Sequence, residues 1–234
     1  MREPAASGRP DRPAALWNDA ARTAIAASDR QVVAIDDDPT GVQTVHAVAV
    51  LADWSVPMLA AELAGERPAF FILTNSRSMP AAEARRVNAE IARNLRAASR
   101  QTGVDFVVAS RSDSTLRGHF PAETDALAGA LGNIDAVLIC PAFFEGGRVT
   151  IDDVHYVRLG DRLVPAAETE FARDAAFGYR SSNLRYWIAE KTGGRFGADD
   201  VVSISLADIR DGGPHRVAAR LAAAARGRPV VLNA

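Results

Sequence analysis

Short runs of apolar residues recur along the chain, and most of them lead through a polar loop into a helical pattern. The runs predicted to be strands are 32–35, 47–51, 69–73, 104–109, 136–140, 201–206 and 229–232. Their residues are apolar throughout instead of alternating with polar ones, which is typical of a parallel sheet covered on both faces. The pattern predicts an α/β fold with a mostly parallel sheet and helices on both faces, a three-layer arrangement of the flavodoxin or Rossmann type.

Helices are predicted where apolar residues return at three- and four-residue spacing. The clearest has Pro80 in its first turn and ends at Gly103, since proline suits a helix start and glycine a helix end. Its apolar face carries Ala84, Val87, Ile91, Leu95 and Ala98. Further helices are predicted over residues 14–28, 57–64, 121–131, 182–191 and 214–225. Residues 145–180 show no steady period, so a small irregular excursion or hairpin is expected there.

The composition is that of an ordinary globular domain, with 234 residues, 48% of them hydrophobic and 24% charged. The formal net charge is −2, so no basic field favours nucleic acid or an anionic membrane as a partner. No apolar run approaches the ~18 residues that a membrane-spanning helix needs. Lys191 is the only lysine; the many arginines are planar, permanently charged groups suited to carboxylates and phosphates.

The single cysteine and the two ends of the chain add further expectations. Cys140 excludes an intramolecular disulfide and fits a reducing compartment. Because it ends an apolar run, it is expected to be a buried structural thiol.

Residues 1–13 lack the apolar core of a secretory signal and are expected to be a disordered lead. A cytoplasmic location is therefore expected for the protein. Only two residues follow the last predicted strand, which predicts that the chain stops at a domain boundary.

Candidate chemistry lies where the predicted strands end. Four polar clusters follow strands, at residues 36–40, 75–77, 112–118 and 145–148. The carboxyl ends of parallel strands form the ligand crevice of open α/β folds, so all four are expected at one edge of one sheet. Carboxylates there would hold hydroxyl groups, and arginines would bind a carboxylate or phosphate through paired hydrogen bonds. The site suits a small, polyhydroxylated, anionic ligand.

Taken singly, these groups have simpler interpretations. The string from Asp38 to Gly41 is also typical of a solvated turn with an Asp cap. Ser112 and Ser114 are equally suited to capping, and Arg117 to an exposed surface position. These interpretations explain each residue separately, but they explain less well why all of them follow strands.

A phosphatase is a second interpretation of the first cluster. Asp36-x-Asp38-x-Thr40 after an apolar strand resembles the nucleophile motif of haloacid-dehalogenase-like phosphatases. The remaining members of that set would be Thr74, Lys191 and the acidic pair at 199–200. That pair precedes its predicted strand, which puts it at the wrong edge of a parallel sheet. The sequence has no phosphate loop, dinucleotide fingerprint or Gly-x-Ser-x-Gly elbow, and its four histidines lack metal-ligand spacing, so no metal site is predicted.

Five strings of the sequence together resemble the amino-terminal domain of the four-carbon acid sugar kinases. They are DDDPTGVQTV (36–45), TNSRS (74–78), SRSDSTLRGH (110–119), PAFFEGGR (141–148) and ETEFARD (168–174). They occur in the family's order, and the resemblance extends over residues 31–234. It implies a two-domain kinase that uses ATP and Mg²⁺ to phosphorylate a terminal hydroxyl of erythronate, threonate or 3-oxo-tetronate.

Carried over by position, the resemblance implies a set of substrate contacts and one nucleotide contact. The substrate set is Asp37, Asp38, Arg77, Ser112, Asp113, Ser114, Thr115 and Arg117. Its carboxylates would hold hydroxyls, and its arginines would hold the acid's carboxylate. His155 would face the nucleotide from across the cleft. No catalytic base is assigned, since positioning and charge stabilisation dominate phosphoryl transfer.

The resemblance also implies the domain limits. Residues 14–234 would form a sugar-acid-binding α/β domain that ends before a carboxyl-terminal nucleotide-binding domain. This domain alone is expected to be inactive without that partner domain, and a non-catalytic sugar-acid-binding protein is the alternative function. The residues do not distinguish among the four-carbon acids or determine the oligomeric state, although a homodimer is compatible with them.

Overall fold

A computed structural model of the protein describes residue 19 and residues 21–25, 27–42, 45–132, 134–224 and 227–234. The lead predicted over residues 1–13 lies outside these residues, as do residues 14–18, 20 and 26 of the helix predicted over 14–28. Of the described residues in that range, 19 and 21–25 are helical, whereas 27 and 28 are not.

The strands fall close to the predicted apolar runs, with three more in the predicted excursion. They are β1 (Arg30–Asp36), β2 (Ala49–Leu51), β3 (Ala69–Leu73), β4 (Asp105–Arg111), β5 (Ala136–Ile139), β6 (Arg148–Ile151), β7 (Val154–Leu159), β8 (Arg162–Pro165), β9 (Val202–Ile204) and β10 (Arg228–Leu232). The helices are α1 (Val56–Leu63), α2 (Ala81–Thr102), α3 (Ala122–Leu131), α4 (Leu184–Lys191), α5 (Leu206–Arg210) and α6 (Gly213–Ala222).

The first sheet contains four parallel strands in the order β2-β3-β1-β4. Successive residues of a strand face opposite sides, and Val33 and Ile35 of β1 face the helices α1, α2 and α3. There they pack with the apolar face of α2 that the spacing predicted, including Val87 and Ile91. Gly103 ends α2 in the left-handed conformation, with φ of 73°, as its position predicted.

The opposite face of the first sheet is partly exposed in the residues that the structure describes, although Ala34 and Phe71 at its centre are buried. Val32 and Val107 are neighbours in register, and 43% and 46% of their surfaces are exposed; Val50 is 43% exposed. Helices on both faces were predicted, and this sheet has them on one. The connections β2-α1-β3 and β3-α2-β4 cross the sheet in the same direction, so right-handed crossovers place both helices on the same side.

The second sheet consists of β5, β10 and β9, in that order and all parallel. Here the prediction of helices on both faces is confirmed. Val231 packs with Trp187 and Ile188 of α4, whereas its neighbour Val230 packs with Val217 of α6. The mixed α/β class with parallel strands is therefore confirmed.

The prediction of one continuous sheet is wrong. The strands β4 and β5 do not pair, and β6, β7 and β8 form a third, antiparallel sheet. Apolar periodicity identifies strands but not their partners, because pairing depends on contacts distant in sequence. The third sheet occupies the predicted excursion and is joined to the end of the second by two backbone hydrogen bonds between Thr150 and Ala234, of 2.6 and 3.0 Å.

The prediction that Cys140 is buried is also wrong, because the residue is exposed. It directly follows β5, which lies at the edge of the second sheet. Leu138, two residues earlier and therefore on the same face, is 50% exposed. An apolar run indicates a strand, but it does not show that both faces of that strand are covered.

Candidate functional site

Three of the four polar clusters meet at the carboxyl edge of the first sheet, because β3, β1 and β4 are adjacent and parallel. Backbone hydrogen bonds join the loops that follow them. The N–H of Thr74 donates to the carbonyl of Asp36 at 2.9 Å, and the N–H of Arg77 donates to that of Asp37 at 3.1 Å. The N–H of Asp37 donates to the carbonyl of Arg111 at 3.3 Å. Backbone hydrogen bonds therefore hold the three loops together independently of their side chains.

Asp37 is the centre of the side-chain network, and only 2% of its surface is exposed. Its carboxylate accepts hydrogen bonds from Arg77 Nε at 3.1 Å and Nη2 at 2.5 Å. It also accepts one from Ser112 Oγ at 2.6 Å. The three clusters thus converge on one buried carboxylate, and that carboxylate fixes Arg77 in place.

Arg77 also reaches the neighbouring Asp38, with 3.2 Å between Nη1 and Oδ2. Asp38 accepts hydrogen bonds from the backbone N–H of Thr40 at 2.8 Å and from its hydroxyl at 2.5 Å. These two bonds, assisted by Arg77, lower the pKa of Asp38 below its usual range. Asp38 is therefore ionised at neutral pH and, unlike Asp37, is partly open to solvent.

The loop after β4 approaches Asp37 closely, and a glycine makes this approach feasible. Ser112 Oγ lies 3.1 Å from the carbonyl oxygen of Arg117 as well as 2.6 Å from Asp37. Gly118 has φ of 151°, and a Cβ atom at this position would overlap the Ser112 hydroxyl. The loop can therefore keep its contact with Asp37 only if residue 118 has no side chain.

Within that loop, Asp113 organises its own neighbours. It accepts hydrogen bonds from the Thr115 N–H at 2.9 Å, the Thr115 hydroxyl at 2.5 Å and Arg117 Nε at 2.6 Å. Burial raises the pKa of Asp113, but these bonds outweigh burial and lower it overall. Arg117 also lies over the ring of Phe171 and within 3.8 Å of Asp174.

The loop is held from behind by the third sheet and the segment after it. His155 is fully buried, and its Nε2 lies 2.7 Å from the carbonyl oxygen of Ser114. Because a carbonyl only accepts, Nε2 carries the proton, and Nδ1 of the neutral ring accepts from the Thr150 hydroxyl at 3.0 Å. Burial lowers the pKa of His155. The Tyr179 hydroxyl donates to the carbonyl of Thr115 at 2.9 Å.

Both ring nitrogens of His155 are thus occupied by protein groups. In this structure the residue supports the loop of Ser112–Arg117, and its side chain has no exposed surface. The nucleotide contact that the family resemblance implies for His155 stays a prediction.

Asp36 faces away from this network. It is 2% exposed, its Oδ2 makes no hydrogen bond, and Arg111 Nη1 lies 3.7 Å from it. Burial raises the pKa of Asp36 despite that arginine. A Cβ atom at Gly41 would overlap its carboxylate, so the glycine covers it closely.

The remaining members of the phosphatase set are engaged elsewhere. The Thr74 hydroxyl donates to the carbonyl of Asp36 at 2.9 Å, and Lys191 donates to the carbonyls of Phe177 and Gly178. Asp199 pairs with Arg185. No hydrogen bond or ion pair between the described residues unites them around Asp36, so the geometry does not favour the phosphatase interpretation.

The fourth predicted cluster, residues 145–148, does not join the other three. It lies between the second and third sheets, where Arg148 donates to the carbonyl of Gly146 and lies over the ring of Phe143. Glu145 is exposed. This cluster follows β5, and β5 belongs to a different sheet from β1, β3 and β4.

Glu123 is a site-forming residue that sequence reasoning missed. It lies in the first turn of α3, is 4% exposed, and accepts hydrogen bonds from Ser76 Oγ at 2.5 Å and Asn88 Nδ2 at 3.2 Å. Burial raises the pKa of Glu123. It thereby supports the turn that carries Arg77. An acidic residue in a first helical turn is ordinary, so no signal in the sequence marked this one as buried.

The described residues show neither a metal-binding cluster nor a helix able to span a membrane. No group of three or more His, Cys, Asp or Glu side chains in this part of the chain is arranged to hold a metal ion. Of the helices described, none combines the length and the apolar character needed to cross a membrane.

Comparisons with known proteins identify the family of this chain. A family model described as "Sugar-binding N-terminal domain" matches residues 32–234. A D-threonate kinase of Bordetella bronchiseptica is 36% identical over 148 residues, covering 60% of this chain and 34% of that protein. The chain thus spans about a third of the length of this curated relative.

Solved structures show the same fold. A Bordetella bronchiseptica protein described as a domain of unknown function (DUF1537), with bound citrate and as a domain-swapped dimer, is 30% identical with a TM-score of 0.62. The match covers 87% of this chain and 47% of that one. A second crystal form gives a TM-score of 0.61. A Haemophilus influenzae protein of the same family is 22% identical with a TM-score of 0.57. That match covers 86% of this chain and 48% of the Haemophilus influenzae chain. This chain therefore spans about half of each.

Proposed function

This chain belongs to the family of sugar-binding N-terminal domains, and from that premise we propose that it binds a four-carbon acid sugar at the carboxyl ends of β1, β3 and β4. Threonate, erythronate and 3-oxo-tetronate are the proposed ligands. The curated relative named D-threonate kinase supports the substrate class, and the citrate bound in a structural neighbour supports a small acid as the ligand.

The observation that carries the proposal is the placement of Arg77. A guanidinium has five N–H donors; two of them hydrogen-bond to Asp37, and Nη1 is ion-paired with Asp38. Donors therefore remain for a ligand, and 23% of the side chain is exposed at the sheet edge. A rigidly held guanidinium with free donors suits the oxygen atoms of a small acid, because little side-chain entropy is lost on binding.

The other residues of the predicted set divide into contacts and supports. Asp38 is ionised and partly exposed, so its carboxylate accepts the ligand's hydroxyl hydrogens. Arg117 is 33% exposed and supplies a second cation. Asp37 and Ser112 lie beneath Arg77 and act as positioning residues, and Asp113, Ser114 and Thr115 shape the loop that encloses the ligand.

We further propose that the chain is the substrate-binding part of an ATP-dependent kinase. The described residues contain no acidic cluster suited to Mg²⁺, so the metal and most of the ATP contacts are assigned to a carboxyl-terminal nucleotide-binding domain. In this scheme the residues of this chain bind the acid and orient its terminal hydroxyl. Such positioning is a main contribution to phosphoryl transfer.

A homodimer is part of the proposal, because the Bordetella bronchiseptica neighbour is a domain-swapped dimer in both of its crystal forms. Sedimentation equilibrium of the chain tests it, with a mass near twice 24.9 kDa as the expected result. A monomer at all accessible concentrations would remove this part of the proposal without affecting the acid site.

Calorimetric titration of the chain with threonate, erythronate and 3-oxo-tetronate tests the proposed ligand class. At least one acid is expected to bind, and ATP·Mg²⁺ alone is expected to bind weakly or not at all. Failure of every acid to bind would refute the site assignment. If an acid binds but no phosphoryl transfer follows when a nucleotide-binding domain of this family is supplied, a non-catalytic sugar-acid-binding protein is the correct function.

A further inference from the structure

A cavity of about 510 Å³ adjoins the proposed acid site. Its wall includes Arg77 and Gly118, which also belong to the cluster around Asp37, so cavity and cluster are continuous. The lining also includes His119, Phe177 and Lys191. A four-carbon acid is smaller than this cavity, so one end of the ligand can enter it while the other stays at the edge of the first sheet.

The lining of the cavity contains two cations and no aspartate or glutamate. Arg77 is paired with Asp37 and Asp38 outside the lining, which leaves Lys191 as the cation without an ion pair in the described part of the chain. Lys191 Nζ donates to the carbonyl oxygens of Phe177 at 2.9 Å and Gly178 at 2.8 Å. An ammonium group has three donors, so one remains. Among the described residues no carboxylate lies within ion-pair distance of Lys191, although Asp174 and Glu190 influence it from farther away.

Two helices begin at the same wall, which adds to its positive character. Pro80 and Ala81 at the start of α2 line the cavity, as does Ala122 at the start of α3. The N-cap residues are Pro80 and Pro121, which have no side-chain oxygen to accept from the first N–H groups. Helix starts carry a partial positive charge, although the N–H groups of Glu83 and Glu123 in these first turns already donate to the carbonyls of Pro80 and His119. The lysine and these two helix starts therefore surround one concave space.

We propose that this cavity is the carboxylate subsite, and that Lys191 is the residue that selects an acid over an uncharged polyol. The inference rests on the proposed function and specifies which end of the ligand lies where. The carboxylate enters the cavity toward Lys191, Arg77 contacts the ligand at the junction, and the hydroxyl-bearing carbons lie along Asp38. The terminal hydroxyl then lies farthest from Lys191, at the open side of the site.

The test compares threonate with threonamide, which has the same hydroxyls but no charge. Three variants of the chain are titrated with both: Lys191→Met removes the charge, Lys191→Arg keeps it, and Arg173→Met removes an exposed arginine outside the cavity lining. The wild type and Arg173→Met are expected to bind the acid at least about tenfold more tightly than the amide, the ratio that ~1.4 kcal/mol produces. Lys191→Met is expected to bind both ligands equally, and Lys191→Arg to retain most of the preference.

The ratio of the affinities for threonate and threonamide distinguishes a binding role of Lys191 from a structural one. If Lys191 only fixed the turn of Phe177 and Gly178, Lys191→Met would weaken both ligands alike and leave their ratio unchanged, and that result would overturn the inference. An unchanged affinity for the acid would overturn it as well, while leaving the proposed function intact. If the wild type bound no acid sugar, the proposed function and the subsite would fail together.

Discussion

The Nε2–H of His155 donates to the carbonyl oxygen of Ser114 at 2.7 Å, from a ring with no exposed surface. This bond links the third sheet to the loop that carries the proposed substrate contacts. Since the second ring nitrogen accepts from Thr150, only the neutral imidazole satisfies both partners. The geometry of the loop therefore depends on the protonation state of a fully buried histidine.

The free energy of unfolding should consequently fall in mild acid. The folded-state pKa of His155 lies below the reference value of 6.5, so the unfolded chain binds the proton more tightly. The stabilisation is complete above about pH 6.5 and is lost as the pH falls toward the folded-state pKa. Urea unfolding across this range should show the decline in the wild type and a smaller one in His155→Gln, whose amide N–H still reaches Ser114. The same decline in both proteins would contradict this assignment, and His46→Gln at an exposed position is the control.

Glu123 should show the opposite dependence on pH. Burial raises its pKa above the reference value of 4.5, so the folded state binds the proton more tightly than the unfolded chain does. The stability that protonated Glu123 contributes is therefore lost as the pH rises through the folded-state pKa. Glu123→Gln keeps an acceptor for Ser76 and should be at least as stable as the wild type at neutral pH. Glu123→Ala leaves Ser76 and Asn88 without their acceptor and should cost about 1–3 kcal/mol. Equal losses in both variants would show that the charge itself is needed.

Replacing Gly118 by alanine should disrupt the contact between the Ser112 loop and Asp37. The new methyl group would overlap the Ser112 hydroxyl, and φ of 151° suits only glycine. A loss of about 1–3 kcal/mol in the free energy of unfolding is expected, together with weaker acid binding. Gly129→Ala is the matched control: this glycine lies within α3 with open space around it, so alanine there should stabilise by about 0.5–1 kcal/mol. Gly118→Ala with wild-type stability and affinity would refute the close approach.

Tyr179 should remain protonated well beyond the usual range of a phenol. Burial raises its pKa to about 12, and its hydroxyl donates to the carbonyl of Thr115. Phenolate absorbance in the folded protein should therefore show one tyrosine that titrates late and that is missing in Tyr179→Phe. That variant should also lose about 1 kcal/mol of stability. Tyr186→Phe, at a position 62% exposed, is the control and should lose neither.

The local elements of the fold were predictable because their signals are local. The spacing of Ala84, Val87, Ile91 and Leu95 identified α2, and Gly103 identified its end. The apolar runs that became β1 and β3 identified the strands whose ends carry Asp37 and Arg77. These two residues then meet because their strands are neighbours in a parallel sheet.

The features that the sequence did not predict depend on contacts between residues that are distant in sequence. Nothing near β4 or β5 signals that the two do not pair, and the apolar run before Cys140 gave no sign that one face of β5 is exposed. The support from Glu123 and His155 was equally invisible, because burial of a polar residue depends on which elements pack over it. The sequence identified the groups that meet at the sheet edge, but it signalled neither the burial of Glu123 nor the contact of His155 with Ser114.

The most direct measurement is the affinity of the chain for its best-binding acid sugar in Arg77→Lys and in Arg93→Lys. Lysine keeps the charge next to Asp37 but lacks the planar fork that bonds Asp37 through two N–H groups and leaves others for the ligand, whereas Arg93 is exposed on α2. Arg77→Lys should weaken acid binding by about tenfold or more, which corresponds to ~1.4 kcal/mol. Arg93→Lys should change the affinity by less than about twofold. Wild-type affinity in Arg77→Lys would contradict the account, because the acid would then bind elsewhere on the molecule.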